Sequence, residues 1–128
     1  MTEIMGQLTK NFHLSEFKCK DGTEVPVELR NNVIELAVNL QVLREELGKP
    51  ITVTSGYRSP QHNWKIGGAK GSYHLKSMAA DIKVQGMKPK QVAEVIERLI
   101  AEGKMKEGGI GIYRSWVHYD VRGFKARW

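Results

Sequence analysis

The sequence predicts an α+β fold: a small antiparallel sheet of roughly four strands, covered on one face by two helices. Three observations predict it. Two long stretches carry apolar residues at alternating steps of three and four, the period of a helix with one buried face. Short β-branched or alternating runs, bounded by glycine or proline, lie between and after them. No repeat, low-complexity tract or linker divides the 128 residues, so the chain reads as a single domain, 1–128.

The elements follow in order. Asn11 to Phe17 reads as a short turn or single helical turn, with Phe12 and Phe17 facing inward and His13 in a surface or packing role. Asp21-Gly22 marks a turn. Pro26 suits a first helical position, and Leu29, Val33, Leu36, Leu40, Leu43 and Leu47 follow as one apolar stripe. Gly48 suits the left-handed cap of that helix, and Pro50 forbids its continuation. Ile51 to Ser55 is a β-branched strand. A loop from Gly56 to Gly71 comes next; its glycines 67, 68 and 71 imply a sharp bend or a close approach. Ala79 to Val84 reads as a strand with Asp81 and Lys83 on one face and Ala80, Ile82 and Val84 on the other. Pro89 opens the second helix, whose stripe is Val92, Val95, Ile96, Leu99 and Ile100. Gly108 to Tyr113 and Trp116 to Val121 read as two strands joined by a tight turn at Arg114-Ser115. On the second of these, Trp116, His118 and Asp120 share a face. The tail from Arg122 to Trp128 is expected to pack by its aromatics.

Charge and composition exclude several classes. The net charge of +6 favours an anionic partner, either nucleic acid or an anionic cell-wall polymer. The lysines and arginines are scattered and form no basic stripe, which argues against a nucleic-acid partner. No run of about 18 apolar residues is present, so no transmembrane helix is expected and no membrane partner follows. Met1 to Leu8 lack the basic start and apolar centre of a signal peptide, which predicts synthesis in the cytoplasm. Cys19 is the only cysteine, so an intrachain disulfide and a thiolate zinc site are both excluded on this count. Nothing marks an oligomer, and monomer is the default.

The chemistry concentrates around Ser72 to Asp81. His74 precedes Asp81 by seven residues, and Asp81 opens a run of small apolar residues where an unpartnered carboxylate is expensive. His118 sits in a similar strand near the C-terminus. Two imidazoles and one carboxylate form a ligand set used by zinc when it keeps a position open for water. Zinc so held polarises a carbonyl and lowers the pKa of water toward neutrality. Asp120, two residues from His118, is placed either as a general base or as a partner of an imidazole. Arg58, at the exit of the first strand, either grips a substrate carboxylate or ties the loop to a structural one. The residues alone leave two readings open: a metal site, or an ordinary surface carboxylate and two ordinary histidines.

Taken together, Ser55-Gly56-Tyr57-Arg58-Ser59, the loop from Asn63 to Gly68, Ser72-x-His74, Ala79-Ala80-Asp81 and Trp116-Val117-His118-Tyr119-Asp120 resemble the zinc D-Ala-D-Ala carboxypeptidase family. The likeness runs from about Phe12 to Trp128, and the closest look-alikes are short phage or prophage members. It implies the fold shared with the hedgehog signalling domain, and a zinc metallopeptidase that cuts peptidoglycan stem peptides as a D,D-carboxypeptidase or an endolysin-type endopeptidase. It implies one zinc ion on His74, Asp81 and His118, Arg58 on a substrate carboxylate or the attacked carbonyl, and Ser72 and Tyr57 in substrate binding and loop shape. Action would then be at the bacterial cell wall. The alternative is a zinc-stabilised wall-binding module without turnover. Two departures stand out. Many members carry glycine at Ser77, where a serine is accommodated if the backbone angle is ordinary. Many also carry an acidic residue three before the last histidine, or a histidine two before it; here those positions are Ser115 and Trp116. Asp120 is the expected substitute base, with His62 in reserve.

Overall fold

The structure is a computed structural model that describes residues 6–128; the leader-peptide reading of Met1 to Leu8 falls largely outside them. Its strands are β1 (Ile51–Ser55), β2 (Ala79–Val84), β3 (Gly109–Ile112), β4 (Val117–Asp120) and β5 (Ala126–Arg127). They form one five-stranded sheet in the order β1-β2-β4-β3-β5. The helices are α1 (Arg30–Leu47), α2 (Pro60–Lys65) and α3 (Pro89–Ala101).

Helix α1 forms for the reason its stripe implies: Val33, Leu36, Leu40 and Leu43 are fully buried. It starts later than Pro26 suggests, because Val27–Leu29 first makes a 3₁₀ turn capped by that proline. Gly48 ends it in the left-handed conformation at φ 63°, where a Cβ is disfavoured. Helix α3 buries Val92, Ala93, Ile96 and Leu99 and lies against β2, β3 and β4. Ala80, Ile82, Val84, Val117, Tyr119 and Val121 join both helices in one core cluster. Leu14–Phe17 is the expected single 3₁₀ turn, with Phe12 and Phe17 buried. His13 caps it: its Nδ1 accepts from the Ser15 N–H, and its own N–H donates to Glu16.

Two expectations fail. The sheet is mixed and not purely antiparallel, because the tail adds β5 parallel to β3. The Ile112 N–H donates to the Trp128 carbonyl at 2.9 Å, and the Trp128 N–H to the Ile110 carbonyl at 3.1 Å. Arg127 anchors this strand through Glu97 at 2.7 Å and Glu107 at 2.8 Å. A two-residue strand has no periodicity, so its pairing is invisible in sequence. The loop after β1 also contains α2, with Ser59 as N-cap and Pro60 at the first helical position. Six residues without an apolar stripe left only that capping pair as a signal.

Ser77 is a third correction. Its φ is +55°, and it is the one non-glycine residue at positive φ among the described residues. Its hydroxyl is buried and has no hydrogen-bond partner. The left-handed backbone costs a residue with a Cβ about 1–2 kcal/mol. Ser77→Gly is therefore expected to raise stability by ~1–2 kcal/mol, read as a higher denaturant midpoint with an unchanged slope.

Candidate metal centre and cleft

The sheet register builds the site. Asp81 on β2 stands directly opposite His118 on β4, so both side chains leave the same face as near neighbours. Their flanking residues point the other way into the helices. His74 comes from a 3₁₀ turn, Tyr73–Lys76, that leads into β2. Ser72 caps this turn, its Oγ accepting from the His74 N–H at 3.2 Å. His74, Asp81 and His118 are all buried, and one ligand atom of each lies within 4.8 Å of the others.

The outer hydrogen bonds decide how the imidazoles face inward. His74 Nδ1 lies 2.7 Å from the Gly56 carbonyl, which can only accept, so Nδ1 carries the proton. His118 Nε2 lies 2.7 Å from Asp120 Oδ2 and donates to it. That leaves His74 Nε2 and His118 Nδ1 pointing at Asp81 Oδ1, each at 3.3 Å. Lone pairs so close to a carboxylate repel unless a proton or a cation lies among them. Burial works against charge on His118, but its bonds to Asp120 and Asp81 prevail and raise its pKa. Burial likewise opposes ionisation of Asp81, yet the bonds from His118 and His74 hold it below the usual carboxylate range. The donor set fits a divalent metal ion: two imidazoles of fixed tautomer and one ionised carboxylate.

Asp120 is fully enclosed. Its Oδ1 accepts from the Gly109 N–H at 2.9 Å, from Arg122 Nε at 2.9 Å and from the Arg122 N–H at 3.1 Å; its Oδ2 accepts from Arg122 Nη2 at 2.8 Å as well as from His118. Burial pushes its pKa up, but the bonds from His118 and Arg122 hold it well below the usual range. It stands behind His118, on the ring nitrogen remote from Asp81, and does not line the cleft.

The cleft beside the three candidate ligands measures about 460 Å³, the size class of small-ligand sites. Arg58 and Ser72 line it, with an aromatic wall of Tyr73, Tyr113, Trp116 and Trp128. Tyr113 and Trp116 stack at 4.8 Å. The Arg58 guanidinium lies 3.8 Å from Asp81 Oδ2 and donates to Asn63 Oδ1 at 3.3 Å. It is thus tied to Asp81 and presents a cation at the cleft wall. Tyr57 is buried and does not line this cleft. His62 does not line the cleft either.

Several contributing residues were not singled out from sequence. Arg122 is held by Asp120 and packs its guanidinium 4.3 Å from the Tyr73 ring centroid and 5.4 Å from that of Trp128. Asn63 is buried and also donates to the Ala69 carbonyl at 3.0 Å, which fixes the loop that carries Arg58. Gly109 and Gly111 leave room for others: a Cβ at Gly109 would collide with Asp120, and one at Gly111 with the Trp128 indole. The Asp-x-Arg spacing and the Gly-Gly-Ile-Gly run were the available signals.

A family profile described as Peptidase M15 matches residues 10–120. The chain belongs to the Peptidase M15 family. Among its relatives, peptidoglycan L,D-endopeptidase MepK of Escherichia coli (strain K12) is 34% identical over 80 residues, covering 57% of this chain and 41% of that protein. The MepK protein of Shigella flexneri matches to the same extent. Zinc D-Ala-D-Ala carboxypeptidase of Streptomyces albus G is 43% identical over 54 residues, covering 41% of this chain and 21% of that protein. The Peptidase M15 match spans all three candidate ligands. None of the described helices is long and apolar enough to cross a membrane.

Gly56 links the fold to the ligands. A Cβ there would lie 2.8 Å from the Phe17 backbone, too close to be tolerated without a shift. The Gly56 carbonyl is also the group that orients His74. Gly56→Ala is expected to weaken metal affinity by ~10–100-fold, as loss of an outer partner does, measured by competition with a chromogenic chelator.

Proposed function

We propose that this chain is a zinc metallopeptidase that hydrolyses peptide bonds in peptidoglycan stem peptides. The observation that carries the reading is the convergence of His74, Asp81 and His118, with both histidine tautomers set by outer partners. The names of the M15 relatives, a peptidoglycan L,D-endopeptidase and a zinc D-Ala-D-Ala carboxypeptidase, support the substrate class. The matched segments are less than half the length of either relative, so the bond cut, D,D or L,D, belongs to the test. The ordered motifs also support assigning the α+β core to the plan shared with the hedgehog signalling domain.

His74, Asp81 and His118 would hold the zinc ion. When bound, it supplies Lewis acidity to a carbonyl oxygen and acidity to water. The chain does the rest. Arg58 presents a guanidinium at the cleft wall, next to Asp81, where it binds a stem-peptide carboxylate or the attacked carbonyl. Ser72 holds the turn that carries His74. The aromatic wall excludes water from one side of the cleft. We assign Asp120 to positioning: it keeps the proton on His118 Nε2 so that Nδ1 is free to ligate. Its enclosure and its five hydrogen bonds oppose the base role expected from sequence.

One observation favours a second reading, a zinc-stabilised wall-binding module without turnover. Among the described residues that line the cleft, Asp81 is the only carboxylate, and it is itself a ligand. Mass spectrometry of muropeptides separates the two. Zinc-loaded protein should release cleaved stem peptides from purified sacculi, and a chelator should abolish the release. Sacculi that bind the loaded protein but remain uncut would select the module.

A further inference from the structure

A second group of ligating side chains lies outside the cleft. Cys19, Asp21 and His62 each offer one ligand atom, and these atoms lie within 4.8 Å of one another. They come from two segments some 40 residues apart, the turn after Phe17 and helix α2. Cys19 is buried, Asp21 is exposed and His62 is half-buried, so the cluster opens to solvent on the side of Asp21.

The cluster is held in place by bonds that leave ligand positions usable. The Cys19 N–H donates to the Thr23 carbonyl at 2.8 Å, and the Thr23 N–H to Asp21 Oδ1 at 2.9 Å, which sets the turn. Ser59 bridges the two segments. Its N–H donates to Cys19 Sγ at 3.4 Å, the contact a thiolate accepts. Its hydroxyl donates to Asp21 Oδ2 at 2.7 Å and accepts from the His62 N–H at 3.1 Å. Atoms held within 4.8 Å of one another are close to the ~3.3–3.8 Å edge of a tetrahedral zinc site, so at most modest side-chain rotations would complete it.

We propose that Cys19, Asp21 and His62 form a second zinc site, which clamps the turn after Phe17 to the segment carrying Arg58. A thiolate, an imidazole and a carboxylate together select a borderline-soft divalent cation over magnesium or calcium. Binding releases the Cys19 thiol proton to solvent and leaves a fourth position for water. A single thiolate suffices beside an imidazole and a carboxylate, which counting cysteines overlooked. The consequence is mechanical. Ser59 lies in this cluster while its neighbour Arg58 lines the cleft, so the clamp fixes one end of the cleft loop.

The proposal does not rest on the peptidase reading, and the test keeps them apart. The full chain, stripped by chelation, is titrated with cobalt as the spectroscopic surrogate of zinc. The His118→Ala background silences the cleft. That variant should take up one equivalent with a thiolate-to-cobalt charge-transfer band, which zinc then displaces; the unsubstituted chain should take up two. The band should vanish in Cys19→Ser. His62→Ala, at a half-exposed position with little bearing on folding, should weaken the band's affinity at least ~10-fold, the minimum seen for lost outer partners. Zinc should also raise the unfolding temperature of His118→Ala but not of His118→Ala/His62→Ala. No cobalt bound by His118→Ala, a bound cobalt without the band, or a band indifferent to His62→Ala would each overturn the site.

Discussion

Asp120→Ala is expected to destabilise the chain by about 3–5 kcal/mol, among the largest effects of any single substitution here. The carboxylate is enclosed and accepts from Gly109, His118 and three times from Arg122. Removing it strands a guanidinium that is mostly shielded from solvent and a buried backbone N–H. Urea unfolding with a preserved slope measures the loss. Asp120→Asn keeps the volume and separates two roles. If Asp120 only positions His118, the variant loses ~10–100-fold in zinc affinity and regains hydrolysis when zinc is saturating. If it were the base, hydrolysis would stay lost at full metal occupancy. The account predicts the first outcome.

The second large effect falls on catalysis. His118→Ala removes one of the three proposed ligands and leaves Asp81 and His74 facing a gap. Hydrolysis of sacculi is expected to drop to the level of the chelated protein, and one equivalent of zinc should disappear on elemental analysis. His74→Ala should behave alike, because its Nε2 meets the same Asp81 oxygen at 3.3 Å. A His118→Ala variant that keeps both its zinc and its hydrolysis would remove the basis for the proposed mechanism.

Much of this site was legible before any coordinates. Asp81 and His118 lie on alternating strands whose other faces are plainly apolar, so period two alone put them on one side of the sheet. The helices were legible for the same reason, since their stripes recur at helical spacing. What could not be read is pairing over long sequence distance. Nothing local says that Trp128 pairs with Ile110 and Ile112, or that Asn63 reaches back to Arg58. The role of Asp120 was ambiguous because face and orientation differ. Its face was right, but only Arg122 and Gly109 reveal that the carboxylate turns behind the imidazole. Ser77 misled for a related reason: its side chain gives no hint that the chain must turn left-handed there.

The geometry itself is tested most directly by an anomalous difference map from crystals of the zinc-loaded chain, collected at the zinc absorption edge. The account predicts a peak bounded by His74 Nε2, Asp81 Oδ1 and His118 Nδ1, with His118 Nε2 still on Asp120. A fully loaded crystal with no peak among those three atoms, or with the metal on His118 Nε2, would contradict it.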